Sequence, residues 1–240
     1  MPTATESQQS TPVEVASTVP IAKVQPGAKR AASVTTLEEM KGYFVVGAWD
    51  QVTDEDYVRA EKHGRRDNTH VVMHLRLTAD DIKAHLADPM HPMRIEGWIR
   101  ADSLWGKSDV HGIFGLWAPT KNPALKRMEY RFEFDGGAAG PLTLIGFKEV
   151  SEYLYTNVME DSQTLFCRIY RGSVGWAEAD TTPVYAVGIL HLHWRDFVKY
   201  DIFGLRFRGP GAMIWGLRFL RFFLGTNWKF QRLKKSGRLD

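Results

Sequence analysis

The fold is decided by residues 126–150, which read KRMEYRFEFDGGAAGPLTLIGFKEV. In the first part of this stretch, charged residues alternate strictly with four apolar ones: Met128, Tyr130, Phe132 and Phe134. Because successive side chains of a strand point to opposite faces, the alternation predicts a strand with one apolar and one polar face. The glycine-rich segment 135–141 predicts a turn, and Leu142–Val150 a returning strand. The stretch therefore predicts a β-hairpin at the centre of an antiparallel sheet.

Similar patterns predict further strands on both sides of the hairpin: Val71–Leu77, Arg94–Arg100, Val110–Ala118, Thr164–Tyr170, Val184–Trp194 and Ile202–Phe207. The short apolar stretch Gly42–Trp49 is predicted to form either a first strand or a plug. Glycines inside or at the ends of these strands indicate bends: Gly97, Gly112, Gly115, Gly146 and Gly188. An antiparallel meander of this length with one apolar face removes its edges by closing on itself. We therefore predict a mainly β fold, a lipocalin-like β-barrel, with a two-sheet β-sandwich as the alternative.

The remaining segments set the domain organisation. Residues 1–35 contain no aromatic residue and are predicted to form a disordered tail. Residues 36–208 are predicted to form the barrel domain, 209–233 a C-terminal amphipathic helix, and 234–240 a basic tail. Within the barrel domain, two short helices are expected, one at Asp54–His63 capped by Thr53 or Asp54, and one capped by Thr78.

The C-terminal helix combines a basic stripe with a broad apolar surface. From Ile202 to Leu239 there are nine lysines and arginines and no acidic residue. A helix that is apolar over most of its circumference is either clamped between protein surfaces or laid into a membrane interface. The predicted contacts to a membrane or a partner are Arg218, Arg221, Phe222, Trp228, Lys229 and Arg232.

Composition narrows the class of protein. The formal net charge of +3 is too small to indicate nucleic-acid binding. The single cysteine, Cys167, excludes an internal disulfide and is typical of a reducing compartment. No apolar run is long enough for a membrane span, and the N-terminus lacks the pattern of a secretory signal. We expect a cytoplasmic protein, with a position at the inner face of the membrane as the more specific alternative.

A few residue types could carry chemistry, but the sequence predicts no catalytic residue, metal ligand or cofactor. His191 and His193 share one face of a strand, yet no further metal ligand stands out beside them. Cys167 reads as a small buried residue. Lys148 is expected to point inward and to form an ion pair with a carboxylate such as Asp161 or Glu160. The common hydrolase, zinc-protease and phosphate-binding motifs are absent.

Several short segments also carry a family resemblance: Met40–Gly47, Ala87–Gly97 with Ala-Asp-Pro-x-His-Pro, Arg127–Arg131, Pro141–Val150, Asp161–Phe166, Gly188–Leu190, Asp196-Phe197 and Arg221–Gly225. They resemble the accessory domain found beside the flavin domain in cholesterol-oxidase-like flavoproteins of the glucose–methanol–choline type. The flavin fingerprint and the catalytic residues of those oxidases belong to the neighbouring domain, so the resemblance implies none here. It implies a separately made flavoprotein or hydrolase as partner.

Three functions follow as hypotheses. The first is a non-catalytic module that binds an apolar ligand, such as a sterol, isoprenoid or acyl chain, because a barrel of about eight strands holds side chains or one small ligand. Its predicted ligand-binding residues are Tyr130, Phe132, Phe134, Ile145, Phe147 and Lys148. The second is a peripheral membrane or partner-docking protein that acts through the C-terminal helix. The third is an enzyme that acts on a lipid in the barrel, with Lys148 or a buried carboxylate as acid or base.

Overall fold

The computed structural model describes residues 31–120, 125–151, 164–192 and 204–235, without the side chains of 125, 150, 151 and 224–235. In chain order the described elements are β1 (Ser33–Trp49), α1 (Asp54–Arg66), β2 (His70–Ala79), α2 (Ile82–Ala87), β3 (Pro92–Ala101), β4 (Gly106–Pro119), β5 (Leu125–Asp135), β6 (Pro141–Ser151), β7 (Thr164–Arg171), β8 (Val184–Leu192), β9 (Arg206–Arg208) and α3 (Ala212–Lys235). A short 3-10 turn, Gly137–Ala139, lies in the connection between β5 and β6.

The strands form a closed antiparallel barrel. The eight strands β2 to β8 and β1 follow one another around the sheet, and β1 also pairs with β2, which closes the ring. Strand β9 pairs only with Ser33–Thr35 at the start of β1 and lies outside the ring. The predicted hairpin forms with Tyr130 opposite Gly146 and Phe132 opposite Leu144. The predicted barrel with a C-terminal helix is confirmed, and the continuous ring excludes the two-sheet sandwich.

Buried and more exposed residues alternate along the strands, and the buried side chains fill the barrel. In β1 the residues Val34, Met40 and Phe44 are buried, while their neighbours are partly exposed. The interior core also takes Tyr130, Phe132 and residues from every other barrel strand. Gly112 of β4 is required because the backbone of β5 lies close to it. A methyl group at this position would lie 2.0 Å from the carbonyl oxygen of Arg131.

A second apolar cluster lies on the outside of the barrel, under α1. Tyr57 and Ala60 of this helix pack on Ile145, Val187 and Ile189 from the outer faces of β6 and β8. The helix begins after Thr53, whose backbone N–H and hydroxyl donate to the Asp56 carboxylate at 2.9 and 2.8 Å. Strand β6 is therefore covered on both faces, by the interior on one side and by α1 on the other.

Several local predictions differ from the structure. Strand β1 begins at Ser33, so residues 33–35 belong to the sheet rather than to the predicted tail, and its first half was not predicted as strand. The second helix is capped by Asp81, which accepts from the N–H groups of Lys83 and Ala84, and not by Thr78. The last strand is confined to Arg206–Arg208. His193 and the predicted turn at Asp196–Lys199 lie outside the described residues.

Candidate functional site

A buried polar cluster spans the barrel interior. Lys148 on β6 forms an ion pair with Glu38 on β1, and the Tyr130 hydroxyl on β5 donates to both Glu38 oxygens at 2.9 and 3.1 Å. Glu38 is 3% exposed and Lys148 is 1% exposed. Four strand steps separate β1 from β5 around the eight-strand ring, so the cluster ties opposite walls together.

The inward orientation and ion pair predicted for Lys148 are present, but the carboxylate differs from the predicted one. Glu38 supplies it from the far wall, whereas Asp161 and Glu160 lie outside the described residues. The ammonium also lies 5.2 Å from the Tyr130 ring centroid. Because the buried Lys148 charge is matched by a carboxylate that Tyr130 also contacts, removal of either charge would leave the other unpaired, which favours a structural role for the cluster.

Cys167 lies in the same interior, on β7. It is fully buried, and this burial raises the pKa of its thiol, against the opposing effect of the nearby Lys148 charge. A thiol that resists ionisation is a poor nucleophile. Cys167 therefore contributes packing, as the sequence predicted.

The barrel interior around this cluster is occupied by large aromatic rings. Phe114 lies 4.7 Å from Tyr130, and Trp105 lies 5.2 Å from Phe134, measured between ring centroids. Phe132 is fully buried, and its ring centroid lies 6.1 Å from that of Phe134. The hairpin residues predicted to line a ligand cavity therefore pack against the protein's own side chains.

The six predicted ligand-binding residues do not share one surface. Tyr130, Phe132, Phe134 and Lys148 point into the barrel, but Ile145 and Phe147 lie on its outer face in the cluster under α1. The grouping of Ile145 and Phe147 with the interior set is therefore wrong. The reason is that side chains at even and odd positions of β6 face opposite sides of the sheet.

A second candidate site is the C-terminal helix α3, which has two different faces. Its inner face is anchored on the barrel by Phe219, which is buried and packs on Phe207 of β9, with the two ring centroids 6.1 Å apart. Gly216 lies against the Phe207 ring, where an added methyl group would be 3.1 Å from the nearest ring carbon. A larger residue at this position would require the Phe207 ring or the helix to shift by a few tenths of an ångström.

The outer face of α3 carries large apolar residues in contact with solvent. Met213, Ile214 and Leu217 are 78%, 57% and 63% exposed. At about 100° per residue, these three side chains lie on one side of the helix. Arg218 and Arg221 are exposed on the same side, and the Arg218 guanidinium stacks 4.5 Å above the ring of Trp215. We call these five residues, Met213, Ile214, Leu217, Arg218 and Arg221, the exposed face of α3.

Only some of the residues predicted for membrane or partner contact lie on this face. Arg218 and Arg221 do. Phe222 does not, because it is half-buried with its ring 4.4 Å from that of His91. The side chains of Trp228, Lys229 and Arg232 lie outside the described part of the helix. Met213, Ile214 and Leu217 were missing from the predicted contact set, because apolar residues surround the helix in sequence and only the docking shows which ones remain uncovered.

Two of the described histidines contact neighbouring elements of the fold. The buried His85 of α2 donates through Nδ1 to the Pro92 carbonyl at 3.0 Å, and its ring lies 5.6 Å from Phe219. His191, on the outer side of β8, contacts the Glu61 carboxylate through Nε2 at 2.9 Å. Within the described residues there is no group of three or more histidine, cysteine, aspartate or glutamate side chains that could hold a metal ion.

Compared with known proteins, the chain matches no family model, no curated protein and no solved structure. Among the described helices, none combines the length and the apolar character that a bilayer crossing requires. Conclusions about function therefore depend on the geometry of the two candidate sites.

Proposed function

We propose that this protein binds the surface of an anionic membrane through the exposed face of α3, with the barrel as a rigid platform. The observation that supports this function is the exposure of Met213, Ile214 and Leu217 on one side of a helix whose other side is anchored to the barrel. A contiguous exposed apolar patch on a folded protein marks an interaction site.

The charge around this patch favours a membrane over an apolar protein partner. Arg218 and Arg221 accompany the apolar residues, and no acidic residue occurs anywhere between Ile202 and Leu239. An interfacial helix of this type places its apolar side chains at the boundary between headgroups and acyl chains. Each nearby lysine or arginine adds about 1 kcal/mol of attraction to anionic lipids.

The apolar-ligand function predicted from the sequence has less support. Its hairpin residues are occupied with packing in the barrel interior, where Phe132 is fully buried and Tyr130 bonds to Glu38. An enzyme that uses Lys148 is supported no better, because the ammonium is already paired with Glu38. The flavoprotein or hydrolase partner implied by the resemblance stays a prediction.

Cosedimentation with vesicles tests the proposal. The intact chain is expected to sediment with phosphatidylcholine vesicles that contain phosphatidylglycerol, and added salt is expected to weaken this binding. Met213→Ser/Ile214→Ser/Leu217→Ser should lower the affinity by about 100-fold or more, since burying each large apolar side chain contributes about 1 kcal/mol or more. Val58→Ser, at an exposed position of α1, should bind like the intact chain.

The electrostatic contribution to membrane binding is tested with a matched pair of charge-reversal variants. Arg218→Glu/Arg221→Glu should abolish binding at low salt, whereas Lys62→Glu/Arg65→Glu on α1 makes the same change in net charge and should have little effect. Circular dichroism and urea unfolding verify that each variant is folded. Failure of the intact chain to sediment at low salt overturns membrane binding, and equal loss in both charge-reversal variants overturns the assignment of the binding to α3. The first result would favour a protein partner at this face.

A further inference from the structure

A basic cleft lies on the outer surface of the barrel where β9 joins it. Its volume is about 330 Å³, and it is lined by Thr35, Leu37, Arg76, Gly204, Arg206 and Arg208. None of these residues belongs to the exposed face of α3 or to the buried polar cluster.

The topology explains why three arginines meet there. Thr35 of β1 pairs with Thr78 of β2 on one side and with Arg206 of β9 on the other. The outer faces of β2 and β9 therefore project Arg76, Arg206 and Arg208 from both sides of a floor made by Thr35 and Leu37. The two flanking strands are two strand spacings apart, about 10 Å. Arginine side chains can close this distance around one small anion.

These three cations lack carboxylate partners among the residues that the structure describes. No described aspartate or glutamate lies within ion-pair distance of Arg76, Arg206 or Arg208. Glu96, which is directly opposite Arg76 on β3, is paired with Arg94 instead. Like charges that are held together without a counterion repel one another, so a bound anion would stabilise this arrangement.

We infer that the cleft is a binding site for a phosphate group, either free or carried by a small molecule or a lipid. Guanidinium groups match the tetrahedral oxygens of phosphate with paired N–H donors, and they do so better than an ammonium point charge. The Thr35 hydroxyl on the floor is a further donor, although it now shares a 3.1 Å hydrogen bond with the Thr78 hydroxyl. Leu37, which also lines the cleft, offers an apolar contact beside the phosphate.

The inference does not rest on membrane binding by α3, so it is tested separately. Isothermal titration of the full chain with inorganic phosphate, in a chloride buffer of low ionic strength, should show saturable binding. Arg76→Ala/Arg206→Ala should weaken it at least tenfold. Arg218→Ala/Arg221→Ala removes the same number of charges from α3 and should leave it unchanged.

A second arm distinguishes a lipid headgroup from free phosphate. The variant Met213→Ser/Ile214→Ser/Leu217→Ser is titrated with vesicles that contain phosphatidic acid, with and without the additional substitutions Arg76→Ala/Arg206→Ala. Retained vesicle binding that the arginine substitutions abolish identifies a lipid phosphate as ligand, and inorganic phosphate binding alone identifies a soluble one. The site is refuted if neither ligand binds, or if both pairs of arginine substitutions reduce binding equally, which would indicate nonspecific charge attraction.

Discussion

Replacing Lys148 by methionine should strongly destabilise the barrel. The substitution keeps the aliphatic stem but removes the ammonium, and it leaves the Glu38 carboxylate buried with the Tyr130 hydroxyl as its remaining partner in the cluster. Breaking a buried ion pair from one side costs about 3–5 kcal/mol. Glu38→Gln/Lys148→Met removes both charges and keeps a hydrogen-bonding group for Tyr130. Because no unpaired charge remains, the double variant should be at least about 2 kcal/mol more stable than Lys148→Met alone.

Urea unfolding measures these differences, with the eight tryptophans as fluorescent reporters. The exposed pair of Arg100 and Asp102 supplies the control, and Arg100→Met is expected to leave the urea midpoint unchanged. The single variant Glu38→Gln completes the set. Two results would refute the reasoning: a loss below about 1 kcal/mol for Lys148→Met, or losses of stability in Glu38→Gln and Lys148→Met that simply add in the double variant. Either result would mean that the two charges are hydrated or uncoupled in solution.

Two further predictions concern the core and the docking of α3. Phe132→Ala should lower the free energy of unfolding by about 3–5 kcal/mol in urea titrations, and a loss below about 1 kcal/mol would show that this side chain is not buried. Burial lowers the pKa of His85, outweighing its hydrogen bond to the Pro92 carbonyl. The unfolded chain takes up this proton at about pH 6.5, so stability should fall as the pH drops from there through the lower folded-state pKa. His85→Gln should lose this part of the decline between about pH 7 and pH 5, and an unchanged decline would exclude His85 as its source.

The sequence predicted the elements whose side chains alternate cleanly. In β5 the apolar residues occupy every second position, and all those from Tyr130 to Phe134 are buried inside. The same reasoning did not assign the side chains of β6 to the correct faces, because apolar residues occur at neighbouring positions such as Leu144 and Ile145. The physical reason is that β6 is buried on both faces, so no run of polar residues marks one face as the outer one.

The features that the sequence did not predict depend on contacts between residues that are far apart in the chain. The first half of β1 reads as polar, with Glu38 and Glu39 next to each other, and nothing local shows that one of them points inward. Glu38 can do so because Lys148, 110 residues further along the chain, reaches it across the barrel. The arginine cleft likewise needs β2, β1 and β9 to come together from distant parts of the chain. Periodicity cannot reveal such partners, since it reports only which face a residue shares with its neighbours.

The proposed surface-binding role of α3 agrees with the difference between its two faces. Its inner face, with Phe219 and Gly216 against Phe207, already holds the helix on the barrel. The side chains of Met213, Ile214 and Leu217 are mostly exposed, so they contribute little to that docking, and polar replacements there are expected to leave the fold intact. Because the exposed face belongs to a helix that packs on β9, binding through it would lose less conformational entropy than the folding of a free segment. Removing the whole helix would also uncover Phe207, which packs against it. Loss of binding by a truncated chain could then not be told apart from loss of folding. Substitutions on the exposed face separate the two effects.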